Sequence, residues 1–386
     1  MHRALGSLAL LSALSLVAAG CSAGEDKSTT DEIRIGVSIE LTGPDSAAGP
    51  AHKNALVLAA DEINRSGLLD GKQLRLIIKD NKSDPAEALA RVNGFLENDN
   101  VTAIIGGGTS PTTLSVVDAI EKAKVPLVSM ASTDDVLTPR EKRRHVFKTP
   151  PSPAPVVEVM LRDFRAANIT RVGLLAVADA YGDAGAKAVR EGAEREGLAL
   201  VGTERFRIAD QAYTGQLTRL IAQKPDAIVV WSVFPGAAKA ARDVKKLGYK
   251  GRVYFDAGAG AELFVRDASL ASEGTFMVHP SVLAANQVTA TTPSVLAQKE
   301  FFSRYTQRYG TFSGFASYAA DALGLIAAAI EQTGSTDRRA LRDKLETIRY
   351  DGLTGSYEFR ATNHGGVAGD ALTVLTVRGG GWVLAQ

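Results

Sequence analysis

Val101-Thr-Ala-Ile-Ile-Gly-Gly-Gly-Thr-Ser-Pro-Thr-Thr113, continued at Val125-Pro-Leu-Val-Ser-Met-Ala-Ser-Thr133, is the stretch whose reading decides the fold. Val101 to Ile105 is β-branched and apolar, long enough for a parallel strand buried on both faces. Gly106, Gly107 and Gly108 stop that strand and let backbone come close to whatever lies beyond its end. Ser110 is a good N-cap, and Pro111 suits the first helical position after it. Leu114, Val117 and Ile120 give the helix an apolar stripe, and Val125 to Ser129 is a second strand running into Ala-Ser-Thr. Two neighbouring strands therefore end in small or hydroxyl-bearing loops, one of which opens onto free helix N–H groups. Such a site suits an anion, for example a ligand carboxylate, held by Ser110, Thr133 and backbone donors. Gly-Thr-Ser-Pro also reads as a tight strand-to-helix turn with no ligand role, and this stretch alone leaves both readings open.

Outward from there the chain alternates. Ile33 to Ile39 reads as a strand, about Gly49 to Asn64 as a helix, and Leu74 to Lys79 as the next strand. Asp84-Pro85-Ala-Glu87 then combines an N-cap, a proline in the first turn and an acid three residues after the cap. Residues 33 to 133 are thus strand–helix three times and then a fourth strand, the pattern of a parallel sheet covered by helices on both faces. The pattern restarts at Arg171 to Val177, with further strands at Leu198 to Phe206, Ala227 to Ser232, Val253 to Asp256 and Thr275 to Val278. Two similar blocks in series imply two lobes of one architecture.

Between the blocks, Pro139 to His145 is a charge-rich, solvated loop, and Thr149-Pro-Pro-Ser-Pro-Ala-Pro155 carries four prolines in seven residues. Such a run cannot pass through a helix or a central strand, so it marks a crossover. Late in the chain three helices are expected at Gln298 to Tyr309, Phe315 to Gln332 and Arg338 to Ile348. Asp321 and Glu331 interrupt the middle one, which reads as a buried packing helix rather than a membrane span. Ser356 to Phe359 and Ala371 to Val377 read as strands, and Arg378-Gly-Gly-Gly-Trp382 as a hairpin turn.

A length of 386 residues suffices for two domains, and 44 basic against 43 acidic residues leave a formal net charge of +1. That balance argues against a nucleic-acid binder, which needs a basic face to neutralise phosphates. Arg3, the apolar run Leu8 to Ala19 and Ala18-Ala-Gly-Cys21 read as a secretory signal over residues 1–20, too short for an ordinary membrane span. Cys21 is the only cysteine, which excludes an intramolecular disulfide. Its place after small residues resembles a bacterial lipobox, which implies a lipid on Cys21. Residues 21–31 are polar and small, as a flexible tether to a membrane surface would be.

The residues from about 33 to the end resemble a type I periplasmic solute-binding protein, of the branched-chain amino-acid-binding (Leu/Ile/Val-binding-like) family of ABC transporters. The resemblance is carried by Ile35-Gly-Val37 with Leu41-Thr-Gly-Pro44, Ala59-Ala-Asp-Glu-Ile-Asn64, Asp80 with Asp84-Pro85, and Ile105-Gly106 with Ser110. Pro126-Leu-Val-Ser129 with Thr133, Tyr181-Gly182, Asp226 to Ser232 and Tyr318-Ala-Ala-Asp321 continue it. It implies an α/β fold of two doubly wound parallel-sheet lobes joined by three crossovers. Lobe 1 would hold residues 32–150 and 281–350, and lobe 2 residues 151–280 and 351–386. By the same resemblance Ser110, Ala131 and Thr133 would hold a ligand carboxylate, Tyr181 would wall the cleft, and Phe234 would lie over the ligand's amino end. An acidic residue expected to pair the ligand ammonium falls at Ala257, with Asp256 one position earlier and Asp179 another available acceptor. Asp45-Ser-Ala-Ala48 stands where an aromatic would cap the ligand. The implied protein is an extracytoplasmic, lipid-anchored, monomeric receptor that passes a small carboxylate-bearing solute, an amino acid of branched-chain type, to an ABC permease. A receptor for an aromatic or short organic acid, or a sensor feeding a membrane partner, fits the same residues.

Enzyme readings lack support in the sequence. It holds no Gly-x-Ser-x-Gly elbow and no Gly-Lys-Ser/Thr phosphate loop, and Gly258-Ala-Gly260 lacks the third glycine of a dinucleotide fingerprint. One cysteine and five scattered histidines offer no metal cluster, and no cofactor is expected.

Overall fold

The computed structural model describes residues 32–289, 293–367 and 369–385. The signal segment, Cys21 and the tether lie outside the described residues. From its start the described chain alternates strand and helix: β1 (Glu32–Ile39), α1 (Gly49–Ser66), β2 (Gln73–Asp80), α2 (Pro85–Glu97), β3 (Ala103–Gly106), α3 (Ser110–Ala123), β4 (Leu127–Ser129) and β5 (Val146–Lys148). The five strands form one parallel sheet in the order β2-β1-β3-β4-β5. Alternate residues of its central strands enter different cores. Ala103, Ile105 and Val128 face the side covered by α1, while Ile104 and Leu127 join Val92, Phe95 and Val117 on the other side. Burial on both faces explains why Val101 to Ile105 reads as an unbroken apolar run.

The chain then crosses into α4 (Pro153–Ala166), β6 (Arg171–Val177), α5 (Ala180–Glu196), β7 (Ala199–Phe206), α6 (Thr214–Ala222), β8 (Ala227–Trp231), α7 (Gly236–Lys246), β9 (Arg252–Phe255), α8 (Glu262–Ala268) and β10 (Phe276–Pro280). It returns to the first lobe as α9 (Pro293–Tyr309), α10 (Gly314–Thr333) and α11 (Arg338–Leu345), with α10 packed on α1 and α11. A small hairpin, β11 (Arg349–Asp351) and β12 (Ser356–Glu358), precedes β13 (Leu372–Arg378) and β14 (Gly381–Leu384). The second sheet has the order β14-β13-β10-β9-β8-β6-β7, with β13 and β14 antiparallel to their neighbours and the rest parallel.

Two features around the first crossing differ from the sequence reading. The proline-rich run does enter a helix: α4 begins at Pro153, and Pro155 also sits in its first turn, where no intrahelical N–H is required. The short strand β5 was not expected, because its three residues carry no periodicity. By length and composition α10 is long and apolar enough to span a membrane, yet most of it is buried inside the protein.

Buried hydrogen bonds tie the first passage between the sheets, α10 and the segment around β12 together. Thr149 Oγ1 donates to the Tyr318 carbonyl at 3.0 Å. Asp321 on α10 accepts the Leu353 N–H at 2.6 Å, the Thr354 N–H at 2.9 Å and the Tyr357 hydroxyl at 2.9 Å.

Candidate functional site

In each sheet the strand order reverses at one place, between β1 and β3 in the first and between β6 and β8 in the second. Loops leaving the strand C-termini diverge there and leave a crevice, which is where open α/β sheets bind ligands. Both crevices open onto one void of about 560 Å³. The first lobe lines it with Asp45 after β1, with Gly108, Thr109, Ser110 and Pro111 after β3, and with Met130 and Ser132 after β4. The second lobe adds Asp179 and Tyr181 after β6, Val233 after β8, and Ala257 and Gly258 after β9. Pro150 and Pro151 of the first crossing, with Phe315 and Tyr318 of α10, complete the wall.

The loop after β3 is built for close approach. Gly107 has φ +65°, and a Cβ there would fall 1.7 Å from Thr113 Oγ1. A Cβ on Gly108 would fall 2.5 Å from a Glu40 carboxylate oxygen. Thr109, rather than the expected Ser110, caps α3: its hydroxyl accepts the Thr112 N–H. That shift by one residue frees Ser110, which is 1% exposed and whose Oγ has no partner among the described residues. A buried hydroxyl at the electropositive head of a helix, facing a void, is prepared to meet an anionic oxygen.

Behind this loop Glu40 is fully committed. Its carboxylate accepts from Thr112 Oγ1 at 2.7 Å, Asn81 Nδ2 at 3.1 Å and the Gly108 N–H at 3.1 Å. Burial raises its pKa. Beside it His52 is buried with neither ring nitrogen partnered, and burial lowers its pKa to about 4, so the ring is neutral at pH 7.

Of the residues expected at the ligand, Ser110 and Tyr181 line the void together. The other four lie one position away from residues that do. Met130 and Ser132 line it, while Ala131 and Thr133 point into the protein. The Ala131 N–H donates to Ser129 Oγ at 3.0 Å, and the Thr133 hydroxyl accepts the Asp135 N–H at 3.3 Å. Val233 lines the void, while Phe234 packs partly buried on the core. Ala257 lines it, while Asp256, 1% exposed, sits behind. Asp256 accepts the Ser232 N–H at 2.9 Å, the Gly258 N–H at 2.8 Å and the Tyr181 hydroxyl. Burial pushes Asp256 up to about 6, and burial and the Asp256 charge raise Tyr181 well above the ordinary phenol value. Tyr181 thus presents a neutral ring to the void, with its hydroxyl turned to the protein.

Asp45 was noted in sequence only as a departure, and Pro150, Pro151 and Phe315 were not singled out at all. Phe315 stands three residues before Tyr318 on α10, so one helical face carries both aromatics to the void, a spacing that the sequence displays.

The match to known proteins agrees with this geometry. The chain belongs to the periplasmic binding protein family, whose model matches residues 32–381. It is similar to the leucine-, isoleucine-, valine-, threonine- and alanine-binding protein of Pseudomonas aeruginosa, 24% identical over 332 residues, 85% of this chain and 86% of the relative. The Leu/Ile/Val-binding protein BraC3 of Rhizobium johnstonii is 24% identical and is covered over 81% of its length, against 79% of this chain. Among solved structures, an extracellular ligand-binding receptor from Rhodopseudomonas palustris HaA2 superposes with a TM-score of 0.85 at 28% identity, covering 92% of this chain and 100% of that one. The branched-chain amino acid transporter substrate-binding protein LivJ from Streptococcus pneumoniae, solved in complex with isoleucine, gives a TM-score of 0.80 at 26% identity, covering 92% and 99%. Membership of this family makes the chain an extracytoplasmic solute-binding protein, and not an enzyme.

Proposed function

We propose that the chain binds a small carboxylate-bearing solute, an amino acid of the branched-chain kind, between its lobes and delivers it to an ABC permease. The observation that carries this reading is the unpartnered, buried Ser110 hydroxyl facing the void at the head of α3. Met130, Val233, Phe315 and the Tyr181 ring offer an apolar bed for the rest of the solute. Ligand contacts to both lobes favour the conformation that brings them together, so binding energy drives closure. Relatives whose names specify leucine, isoleucine and valine point to the same ligand class. Lipid attachment at Cys21 belongs to the same proposal and rests on Ala18-Ala-Gly-Cys21.

Ala257 in the lining favours a second reading, a receptor for an aromatic or short organic acid, because it places no charge at the exit of β9. Thermal unfolding of the purified protein against amino acids, their deaminated acids and benzoates separates the two. A ligand that binds only the folded state raises the midpoint by mass action. Shifts with leucine, isoleucine or valine support the first reading, and shifts with deaminated or aromatic acids alone support the second. Labelling of wild type but not C21S by a fatty acid in cells tests the anchor.

A further inference from the structure

Asp45 and Asp179 line the same void from opposite lobes, and no Lys, Arg or His is among the described residues that line it. Asp45 lies in the loop after β1. Its own N–H donates to Ser83 Oγ at 3.2 Å, but its carboxylate has no hydrogen-bond or ion-pair partner among the described residues. Asp179 caps α5, accepting the Gly182 N–H on Oδ1 at 2.9 Å, and the Tyr181 N–H also points to its carboxylate. Burial, then the charges of Asp179 and Glu40, push Asp45 up to about 6. Burial also raises Asp179. Two desolvated carboxylates lining one void repel, as the effect of the Asp179 charge on Asp45 shows, and a cation placed between them reverses that cost.

An acidic pair alone would not make a site. Here the pair shares its void with the Ser110 hydroxyl, which is 1% exposed and unpartnered. Ser110 and the α3 N-terminus serve a negative oxygen, while Asp45 and Asp179 can serve only a positive or N–H-bearing group. The lining is thus polarised, with apolar Met130, Val233 and Phe315 completing it.

We propose that Asp45 and Asp179 clamp a protonated nitrogen of the ligand, one carboxylate from each lobe, so that the ligand's cation draws the lobes together. This rests on the reading of the void as the solute site and assigns its specificity for nitrogen. The nitrogen is the α-ammonium of a neutral amino acid or the distal ammonium or guanidinium of a basic one. Both present the same chemistry to the pair.

Titration calorimetry of the purified protein tests it, using leucine, lysine and 4-methyl-2-oxopentanoate (leucine with its amine replaced by a keto oxygen) on wild type, D45N, D179N and S110A. Asn caps helices as well as Asp does, so D179N retains the start of α5. Midpoints of the unliganded variants at or above wild type show that each is folded. Leucine or lysine is expected to bind wild type at least about 10-fold more tightly than the keto acid, with about 10-fold or greater losses in D45N and D179N. A preference for leucine assigns the α-ammonium, and a preference for lysine the distal group. Keto acid binding as tight as leucine and lysine binding, or an unchanged affinity in D45N, overturns the clamp. If in that case S110A still weakens the keto acid, the receptor reading survives without it. If none of the three binds wild type, the branched-chain amino-acid reading and the clamp fall together, and a shift of the unfolding midpoint with benzoates then supports the organic-acid reading alone.

Discussion

The two walls of the void use the same kinds of residue in opposite ways. On the first-lobe wall polar groups are left free: the Ser110 hydroxyl and the Asp45 carboxylate have no partners among the described residues. On the second-lobe wall they are spent on the protein itself. Asp256 takes three donors, Tyr181 gives its hydroxyl to Asp256, and one oxygen of Asp179 caps α5. A free buried polar group costs stability and is retained for a ligand, whereas a satisfied one holds the loop that shapes the wall. Substitution of Ser110 or Asp45 should therefore read out in affinity, and substitution of Asp256 in stability.

The sharpest way to break that contrast is D256A. It leaves the Ser232 and Gly258 N–H groups and the Tyr181 hydroxyl buried without an acceptor, and should cost about 4 kcal/mol in urea unfolding at pH 7. A loss below about 1 kcal/mol would place Asp256 among the free groups instead.

Next in size is an effect of pH at His52, whose folded pKa falls from 6.5 to about 4 through burial. A depressed pKa on this base means the folded state binds fewer protons than the unfolded chain. Its stabilising contribution is present above pH 6.5 and is lost as pH falls toward 4, on the order of 3 kcal/mol in all. H52L should remove that loss, so the stability of wild type relative to H52L should decline over this window. Asp45, Asp256 and Asp321, each raised to about 6, act with the opposite sign, since their contribution is lost as pH rises through 6. The variant difference isolates His52 from them, and a flat difference would mean that the ring takes up a partner on acidification.

S110A is the mirror image of D256A. Deleting a hydroxyl with no partner should leave unliganded stability within about 0.5 kcal/mol of wild type. Loss of a hydrogen bond to a ligand carboxylate should weaken binding by about 1.5–3 kcal/mol, roughly 10- to 100-fold, in calorimetry. The smallest effect sharpens the division within one loop. T109A removes the cap of α3 and should lower stability by about 1 kcal/mol in urea unfolding, more than S110A does.

The architecture was legible because it is written in repeats. Apolar runs such as Ala103 to Ile105 and Ala227 to Trp231, separated by amphipathic helices, imply parallel sheets directly. The proline-rich run 149–155 hid α4, since a first turn tolerates the residues that forbid an interior. Of the six residues expected at the ligand, Ser110 and Tyr181 line the void and the other four stand one position from residues that do, and the offset has one cause. Side chains alternate strictly along a strand, but the residues that matter lie just past its end. At the end of β9 the chain turns into a short 3₁₀ segment, Ala257–Ala259, capped by Asp256, which exchanges the face that each residue presents. Asp45 carries no local signal at all, because its loop has no period and its meaning comes only from Asp179 across the void.

The most direct measurement is a crystal structure of the protein with its tightest-binding amino acid. The account predicts the ligand between the two sheets, with its carboxylate within hydrogen-bonding distance of Ser110 Oγ and its body against Met130, Val233 and Phe315. A ligand seated elsewhere, for instance in the groove between α1, α9 and α10 lined by Glu62, Arg304 and Tyr350, with Ser110 still unpartnered, would contradict it.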